Sequence, residues 1–298
     1  MSTEQYKIGE VNMKKTKLVV IMILSMLVSI LSGCTKSNSG SGSEETKQEK
    51  VKVQVFLAAS LNTVMEDLAK KYQEKNPNVE LVFNADSSGK LLTQIEQGFA
   101  CDIFFSAAQK QMNQLEADGL IVDGTKKNMV NNQVVVIARK DTDTKVEGLS
   151  TLNKAASIAL ADGSVPVGKY TREALMNLKV LDQTEDASSI ETKTIQDKLG
   201  VEISEQSNVS KVLEAVKQGN CKVGTTYYSD TYGYENEIKI LEKVNQDLTG
   251  SVIYPICQVK NDEASEAETK AAKEFYDYVC SDEAKTVFEK YYFDTNVK

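Results

Sequence analysis

Ser87, Ser88 and Gly89 form a hydroxyl-rich turn where a predicted strand passes into a predicted helix. Serine hydroxyls and the free N–H groups of a helix start are hydrogen-bond donors, which suit a small anion. Similar turns, and one element that places tyrosine hydroxyls at a strand end, occur at residues 58–61, 165–168, 207–209 and 225–230. Taken singly, such a turn is more often a plain helix cap, because capping alone contributes about 1 kcal/mol.

Alternating strands and helices position these turns. Apolar runs predict strands at residues 51–59, 79–83, 102–105, 134–138, 157–160, 222–228 and 251–259. Apolar residues at helical spacing predict helices at residues 61–72, 91–95, 170–178, 209–216 and 264–292. Repeated strand–helix units favour parallel or mixed sheets covered on both faces, with ligands bound beyond the carboxyl ends of the strands.

Two lobes are predicted from the same pattern. The strand at 134–138, which follows the polar Asn131-Asn132 pair, is interpreted as the crossover into a second lobe, and the strand at 251–259 as the return. We therefore predict lobe I at residues 51–132 and 253–298, and lobe II at residues 133–252. The donor-rich turns divide between the lobes, so we expect them to face each other across a cleft.

The N-terminal segment has the pattern of a targeting signal. Lysines precede an apolar run at residues 18–31, which is shorter than the ~20 residues that a membrane-spanning helix needs. The following Ser32-Gly33-Cys34 completes a sequence that resembles a bacterial lipobox. We predict a lipoprotein signal peptide at residues 1–33 and lipid modification of Cys34. An ordinary signal peptide or an uncleaved anchor is the alternative.

Two further expectations concern this segment. Met13 is a better start than Met1, because the twelve residues before Met13 do not fit the basic start of a signal peptide. Residues 34–50 are predicted to be a flexible tether, since no apolar side chain occurs from residue 35 to residue 50.

Composition excludes several functions. The formal charge is −8 without a dense basic run outside the N-terminus, which argues against nucleic acid as a partner. The chain has no histidine, so Ser-His catalysis and histidine-containing metal sites are excluded. The cysteines other than Cys34 lie at no metal-ligand spacing, and Cys101, Cys221 and Cys257 are interpreted as buried thiols.

Five sequence blocks together resemble the molybdate-binding proteins of ABC transporters, a branch of the periplasmic binding proteins. The blocks are residues 55–61, 88–98, 102–107, 165–170 and 227–230. The resemblance covers nearly all of the chain from Val51 onward. It implies an α/β fold of the type II periplasmic-binding-protein kind. In that fold each of two lobes is a mixed β-sheet flanked by helices, and two crossover strands join the lobes.

The resemblance also implies the site residues. It implies that an oxyanion is held by the hydroxyls of Ser60, Ser88 and Tyr227, and by backbone amides of Ser60, Ser88, Val167 and Val209. Molybdenum would be bound only as its oxyanion, with no metal coordinated by side chains. The chain departs from the family pattern at Lys90, Cys101, Ala108, Gln111 and Asn113. None of these departures removes a donor, so they concern affinity and selectivity.

The chemistry of the donors agrees with this expectation. A tetrahedral dianion without a proton needs donors alone, whereas phosphate that carries a proton also needs an acceptor. Asp86 and Asp162 are the nearest carboxylates in the sequence, and we interpret both as solvated turn residues. The sequence therefore favours a fully ionised oxyanion.

We expect a solute-binding protein that captures molybdate and delivers it to an ABC importer without catalysing a reaction or using a cofactor. Its expected partners are the oxyanion, a membrane permease and, through the anchor at Cys34, the extracytoplasmic face of the cell membrane; a periplasmic location is the alternative. We expect a monomer. Tungstate or sulfate remains an alternative ligand, and an extracytoplasmic sensor domain is an alternative role. An enzyme with Ser60 or Ser88 as nucleophile would lack a histidine base.

Overall fold

Two five-stranded mixed sheets organise the computed structural model, which describes residues 50–297. The predicted signal peptide, the predicted lipidation residue Cys34 and the predicted tether up to residue 49 lie outside the described residues. The strands are β1 (Val51–Ala58), β2 (Val79–Asp86), β3 (Ile103–Phe105), β4 (Lys127–Asn132), β5 (Val134–Arg139), β6 (Ile158–Ala161), β7 (Ile203–Gln206), β8 (Val223–Tyr227), β9 (Ile238–Lys243) and β10 (Val252–Gln258).

The order of the first sheet is β2-β1-β3-β10-β4, and the order of the second is β7-β6-β8-β5-β9. In the first sheet β1 runs parallel to β2 and β3, and β10 runs antiparallel to β3 and β4. In the second sheet β6 runs parallel to β7 and β8, and β5 runs antiparallel to β8 and β9. Each sheet is therefore mixed, as the sequence predicts.

Nine α-helices flank the sheets within the described residues. They are α1 (Asn62–Lys75), α2 (Ser88–Glu96), α3 (Gln109–Ala117), α4 (Pro166–Asn177), α5 (Thr192–Leu199), α6 (Val209–Lys217), α7 (Gln246–Thr249), α8 (Glu266–Val279) and α9 (Asp282–Lys290). Short 3-10 turns occur at Ala59–Leu61, Leu149–Lys154, Ala187–Ser189 and Tyr228–Thr231. None of the helices in residues 50–297 is long and apolar enough to cross a membrane.

Apolar spacing explains how these elements pack. Val53 and Val55 alternate along β1 and are fully buried, and Leu68 is one of the apolar residues that repeat along the inner face of α1. Full burial of such a side chain stabilises the fold by about 1.5–3 kcal/mol. The polar face of α1 is left to solvent, so this helix covers one face of the first sheet.

The chain passes between the sheets twice. β4 ends at Asn132 in the first sheet and β5 begins at Val134 in the second; the return lies between β9 and β10. We call the elements around the first sheet lobe I and those around the second sheet lobe II. The lobe boundaries at residues 132/133 and 252/253 stay a prediction.

Several elements differ from the sequence expectation. The polar pair Asn131-Asn132, which precedes the predicted crossover strand, itself belongs to a strand, β4. The predicted final helix at 264–292 is two helices, because the Ser281 side chain caps a new helix by accepting a hydrogen bond from the Ala284 N–H. The elements β4, α5, α7, β7 and β9 are not predicted from the sequence. Cys101, Cys221 and Cys257 are buried free thiols, which confirms that interpretation.

Candidate anion-binding site

Lobe I contributes Ser60 and Ser88 from two adjacent strand ends. Ser60 lies in the 3-10 turn that follows β1, and Ser88 is the first residue of α2, directly after β2. Because β1 and β2 are parallel and Ala58 pairs with Asp86, the two turns emerge side by side. Both serines are buried. The fold therefore brings two hydroxyl groups together at one edge of the first sheet.

Hydrogen bonds within the protein fix both hydroxyls. The Ser60 Oγ lies 2.9 Å from the Tyr254 Oη, and the Ser88 Oγ accepts a hydrogen bond of 2.9 Å from the Ala107 N–H. Because the Ser88 oxygen is the acceptor in that bond, its own O–H is free to donate. The Ser60 side chain makes no cap hydrogen bond to the turn that contains it.

Lobe II contributes helix starts. Val167 is the second residue of α4, after Pro166, and Val209 is the first residue of α6. N–H groups in a first helical turn have no intrahelical acceptor, and they carry the positive end of the helix dipole. The Asn208 side chain caps α6 by accepting a 3.0 Å hydrogen bond from the Lys211 N–H, which confirms the predicted cap. The amide of Val209 remains available beside this cap.

Tyr227 is the last residue of β8 and the third hydroxyl of the predicted set. Its side chain is buried, and its hydroxyl has no hydrogen-bond partner among the described residues. Burial raises the pKa of Tyr227 well above its usual value, so the phenol stays neutral and keeps its proton. A buried hydroxyl without a partner costs about 1–3 kcal/mol. Tyr227 therefore gains by donating to a ligand.

All five predicted site residues line one small cavity between the lobes. Its volume is about 10 Å³, and its other lining residues are Ala58, Ala59, Asp86, Ser87, Ala107, Val165 and Pro166. This volume is a small fraction of the roughly 300–1,000 Å³ of pockets for organic ligands. The described residues that line the cavity include no lysine or arginine. The cavity thus suits a compact ion held by neutral donors.

Asp86 departs from the expected solvated turn residue, because it lines this cavity. Its Oδ1 accepts a 2.7 Å hydrogen bond from the Ser87 N–H and a 3.1 Å hydrogen bond from the Asn208 Nδ2. Lys90 lies 3.5 Å from its Oδ2. Asp162 is half-buried and accepts hydrogen bonds from the backbone and hydroxyl of Ser164. The Asp86–Asn208 contact joins residues 122 positions apart, so local sequence carries no signal for it.

Further contacts hold the lobes together around the cavity. The Lys110 Nζ donates to the Asp186 Oδ2 at 2.8 Å and to the Ser188 Oγ at 2.9 Å. On another side of the cleft the rings of Tyr228 and Tyr292 stack at 4.6 Å. The cleft is therefore closed, with the predicted site residues inside it.

Metal coordination by side chains has no support in this part of the chain. Within residues 50–297, no three acidic or cysteine side chains come together to hold a metal ion. The cavity between the lobes offers hydroxyl and amide donors instead. Donors of this kind bind an anion through its oxygen atoms.

Comparison with known proteins adds independent findings. Residues 53–294 match the family model of the bacterial extracellular solute-binding proteins. A Bacillus subtilis protein provisionally named ABC transporter substrate-binding lipoprotein YvgL is 32% identical over 281 residues, which cover 94% of this chain and 98% of the relative. The molybdate-binding protein ModA of Haemophilus influenzae is 30% identical over 249 residues, covering 81% of this chain and 89% of the relative.

A solved structure is also similar. It is the substrate-binding domain of a provisionally assigned molybdenum ABC transporter from Clostridium difficile, and its sequence is 33% identical. The match covers 84% of this chain and 100% of the solved chain, with a TM-score of 0.59. The two-lobed mixed-sheet fold is thereby confirmed.

Proposed function

Because the chain belongs to the bacterial extracellular solute-binding proteins, we propose that its solute is molybdate, captured outside the cell membrane for an ABC importer. A binding protein of this kind catalyses no reaction and uses no cofactor, and molybdate is its cargo. The molybdate-binding relatives support the choice of ligand. So does the similarity to a substrate-binding domain of a molybdenum transporter.

One observation carries the proposal. Three hydroxyl-bearing residues and two residues from helix starts, drawn from both lobes, line one cavity of about 10 Å³. The residues are Ser60, Ser88, Val167, Val209 and Tyr227. They provide donors without a cation, which is the set that a fully ionised tetrahedral oxyanion requires.

The expected affinity follows from the number of donors. A hydrogen bond to a charged group contributes about 1.5–3 kcal/mol net. Five to seven such bonds offset the desolvation of the ion and give a Kd near or below ~1 μM, equivalent to about −8 kcal/mol. Because the protein is acidic overall, long-range attraction contributes nothing to capture. Affinity must come from these local donors.

Closure of the lobes links binding of the ion to recognition of the protein by its permease. An ion held by Ser60 and Ser88 alone has half of its donors, and approach of lobe II adds those of Val167, Val209 and Tyr227. Binding energy therefore favours the closed arrangement over an open one. A permease that distinguishes the two arrangements would receive only loaded protein.

We further propose that the protein acts as a monomer anchored at Cys34 to the outer face of the cell membrane. The provisional lipoprotein name of the Bacillus subtilis relative supports this location. The anchor would keep the binding protein close to its permease. Metabolic labelling with a radioactive fatty acid tests the anchor, because Cys34→Ser should abolish the label without changing oxyanion affinity.

Titration calorimetry with molybdate, tungstate, sulfate and phosphate tests the ligand. We expect tight binding of molybdate and tungstate, which are close in size and charge, and weak binding of the smaller sulfate. Phosphate belongs in the series because Asp86, a carboxylate, lines the cavity. Sulfate or phosphate binding as tightly as molybdate would contradict the assignment.

A further inference from the structure

The side chains of Asp86 and Asn208 meet across the cleft beside the candidate site. Asp86 is the last residue of β2 in lobe I, and Asn208 precedes α6 in lobe II. The Asn208 Nδ2 donates to the Asp86 Oδ1 at 3.1 Å. Both residues are half-buried. This is a direct hydrogen bond between the lobes, with a charged acceptor.

The Asn208 amide performs two tasks at once. Its oxygen accepts from the Lys211 N–H and so caps α6, while its nitrogen reaches Asp86. Serine or aspartate would cap the helix about equally well. Neither can cap α6 through an oxygen and also donate to Asp86 through an amide nitrogen. A helix cap needs only a side-chain oxygen at position 208, whereas the hydrogen bond across the cleft also needs the amide nitrogen of asparagine.

Asp86 is tied in turn to the lobe I half of the site. The oxygen that accepts from Asn208 also accepts from the Ser87 N–H at 2.7 Å. Ser87 immediately precedes Ser88, and Asn208 immediately precedes Val209. A continuous chain of hydrogen bonds thus runs from the start of α2 to the start of α6. The first residues of these helices are the predicted ligand residues Ser88 and Val209.

We propose that Asp86 and Asn208 are positioning residues that set the distance between the two halves of the anion site and favour the closed form. The inference rests on the proposed function for its ligand, but the hydrogen bond itself does not. Removing the donor of Asn208 would leave each lobe intact and reduce the closed population. Affinity for the oxyanion would fall, because part of the binding free energy would then be needed to close the lobes.

The test compares variants at two helix caps. Asn208→Ser keeps a capping oxygen and loses the donor to Asp86, and Asn208→Asp keeps the cap but places a carboxylate opposite Asp86. Asn245→Ser is the matched control, because Asn245 caps α7 through the Asp247 N–H at 3.0 Å and lies outside the residues that line the cavity. Titration calorimetry with molybdate gives the affinity. Small-angle X-ray scattering of the ligand-free purified protein gives the radius of gyration.

The proposal predicts an order of effects. Asn208→Ser should weaken molybdate binding about tenfold, the lower end for a hydrogen bond to a charged acceptor, and Asn208→Asp should weaken it more. Both should increase the ligand-free radius of gyration at an unchanged melting temperature. Asn245→Ser should match the wild type in affinity and radius of gyration.

Two results separate the claims. Wild-type affinity and radius of gyration in Asn208→Ser would overturn the positioning role. Failure of the wild type to bind any tested oxyanion would overturn the proposed function instead. In that case the scattering comparison alone would still decide whether Asp86 and Asn208 hold the lobes together.

Discussion

The two halves of the candidate site offer different donors. Lobe I presents two serine hydroxyls that are already held by hydrogen bonds to Tyr254 and Ala107. Lobe II presents the starts of two helices and the Tyr227 hydroxyl, which has no partner among the described residues. Lobe I is thus a platform whose hydroxyls are fixed by contacts within the protein. Lobe II holds a buried hydroxyl that no other described residue satisfies.

This difference assigns separate tasks to the lobes. A platform with fixed hydroxyls determines where the anion first binds, because its geometry does not depend on closure. A helix start and an unpaired phenol stabilise the anion only after the lobes approach, so they determine how firmly the closed form holds. Variants in the two halves should therefore differ in their effects on affinity and on protein stability.

The largest effect is expected from the platform. The double variant Ser60→Ala, Ser88→Ala removes two hydrogen bonds to a charged ligand, worth about 1.5–3 kcal/mol each, so molybdate affinity should fall at least about a hundredfold. Titration calorimetry measures the loss, and circular dichroism checks folding. Unchanged affinity would refute both ligand roles.

Ser87 provides the control for the platform. Ser87→Ala alters a neighbouring hydroxyl in the same turn that lines the cavity but was not assigned a ligand role. Its affinity should stay within about twofold of the wild type, a change of less than 0.5 kcal/mol. An equal loss at Ser87 would mean that the turn as a whole, rather than Ser88, determines binding.

Tyr227→Phe should produce the next largest loss. It removes one hydroxyl while keeping the ring, so affinity should fall about tenfold to a hundredfold. The melting temperature should stay constant or rise, because the hydroxyl has no partner among the described residues. Tyr254→Phe is the contrast. Its hydroxyl bonds Ser60 and Asn132, so its loss should lower the melting temperature.

Alanine substitutions at two glycines test the stability of lobe II and the closure of the cleft separately. A Cβ at Gly168 would lie 2.1 Å from the Asp162 carbonyl oxygen within the same lobe, so Gly168→Ala should destabilise the protein by about 1–3 kcal/mol. A Cβ at Gly89 would lie 3.1 Å from the Ser164 carbonyl oxygen of the opposite lobe. Gly89→Ala should therefore keep its melting temperature and weaken binding about threefold, less than 1 kcal/mol. Destabilisation by Gly89→Ala would contradict this view of the cleft.

A carboxylate behind Tyr227 gives a comparison that depends on pH. Asp230 accepts hydrogen bonds from the Tyr227 N–H and the Thr226 hydroxyl. The residue as a whole is only half-buried, but protein atoms surround its carboxylate, and this desolvation raises its pKa to about 6. The unfolded chain ionises near the ordinary value of 3.8. The contribution of Asp230 to folding stability therefore decreases between pH 4 and pH 6, by at most about 1.4 kcal/mol per pH unit, and is level above that range.

Asp230→Asn tests this sign. The melting temperature of the variant relative to the wild type should increase from pH 4 to pH 6 and then stay constant, since asparagine does not ionise. Thermal unfolding followed by circular dichroism measures it. A stabilisation of the variant that is greatest at pH 4 would show that the pKa of Asp230 is lowered in the folded protein.

The resemblance to the molybdate-binding family carried the prediction of the site residues, and local patterns carried the prediction of the turns that hold them. The serine turns, the helix start at Val167 and the capping role of Asn208 depend on neighbours in sequence, and the structure brings them to one cavity. The polar strand β4 was missed because its pairing depends on distant backbone. The Asn131 N–H, for example, donates to the Asp294 carbonyl at 2.7 Å.

The same limit explains the remaining differences. The turn at residues 58–61 is by itself typical of a plain helix cap, but the Ser60 hydroxyl bonds Tyr254, 194 residues away. Asp86 was interpreted as solvated because its partner Asn208 comes from the other lobe. A side chain whose partner is set by lobe closure cannot be assigned from its own neighbours. Contacts of this kind become visible only in the folded protein.

A crystal of the protein grown with molybdate, measured at the molybdenum absorption edge, would locate the bound ion. We expect one anomalous peak in the cavity between the lobes, from a molybdenum atom whose bound oxygen atoms lie within hydrogen-bond distance of the Ser60, Ser88 and Tyr227 hydroxyls and of the Val167 and Val209 amides. An anomalous peak elsewhere, or one that contacts lobe I alone in a closed protein, would contradict it.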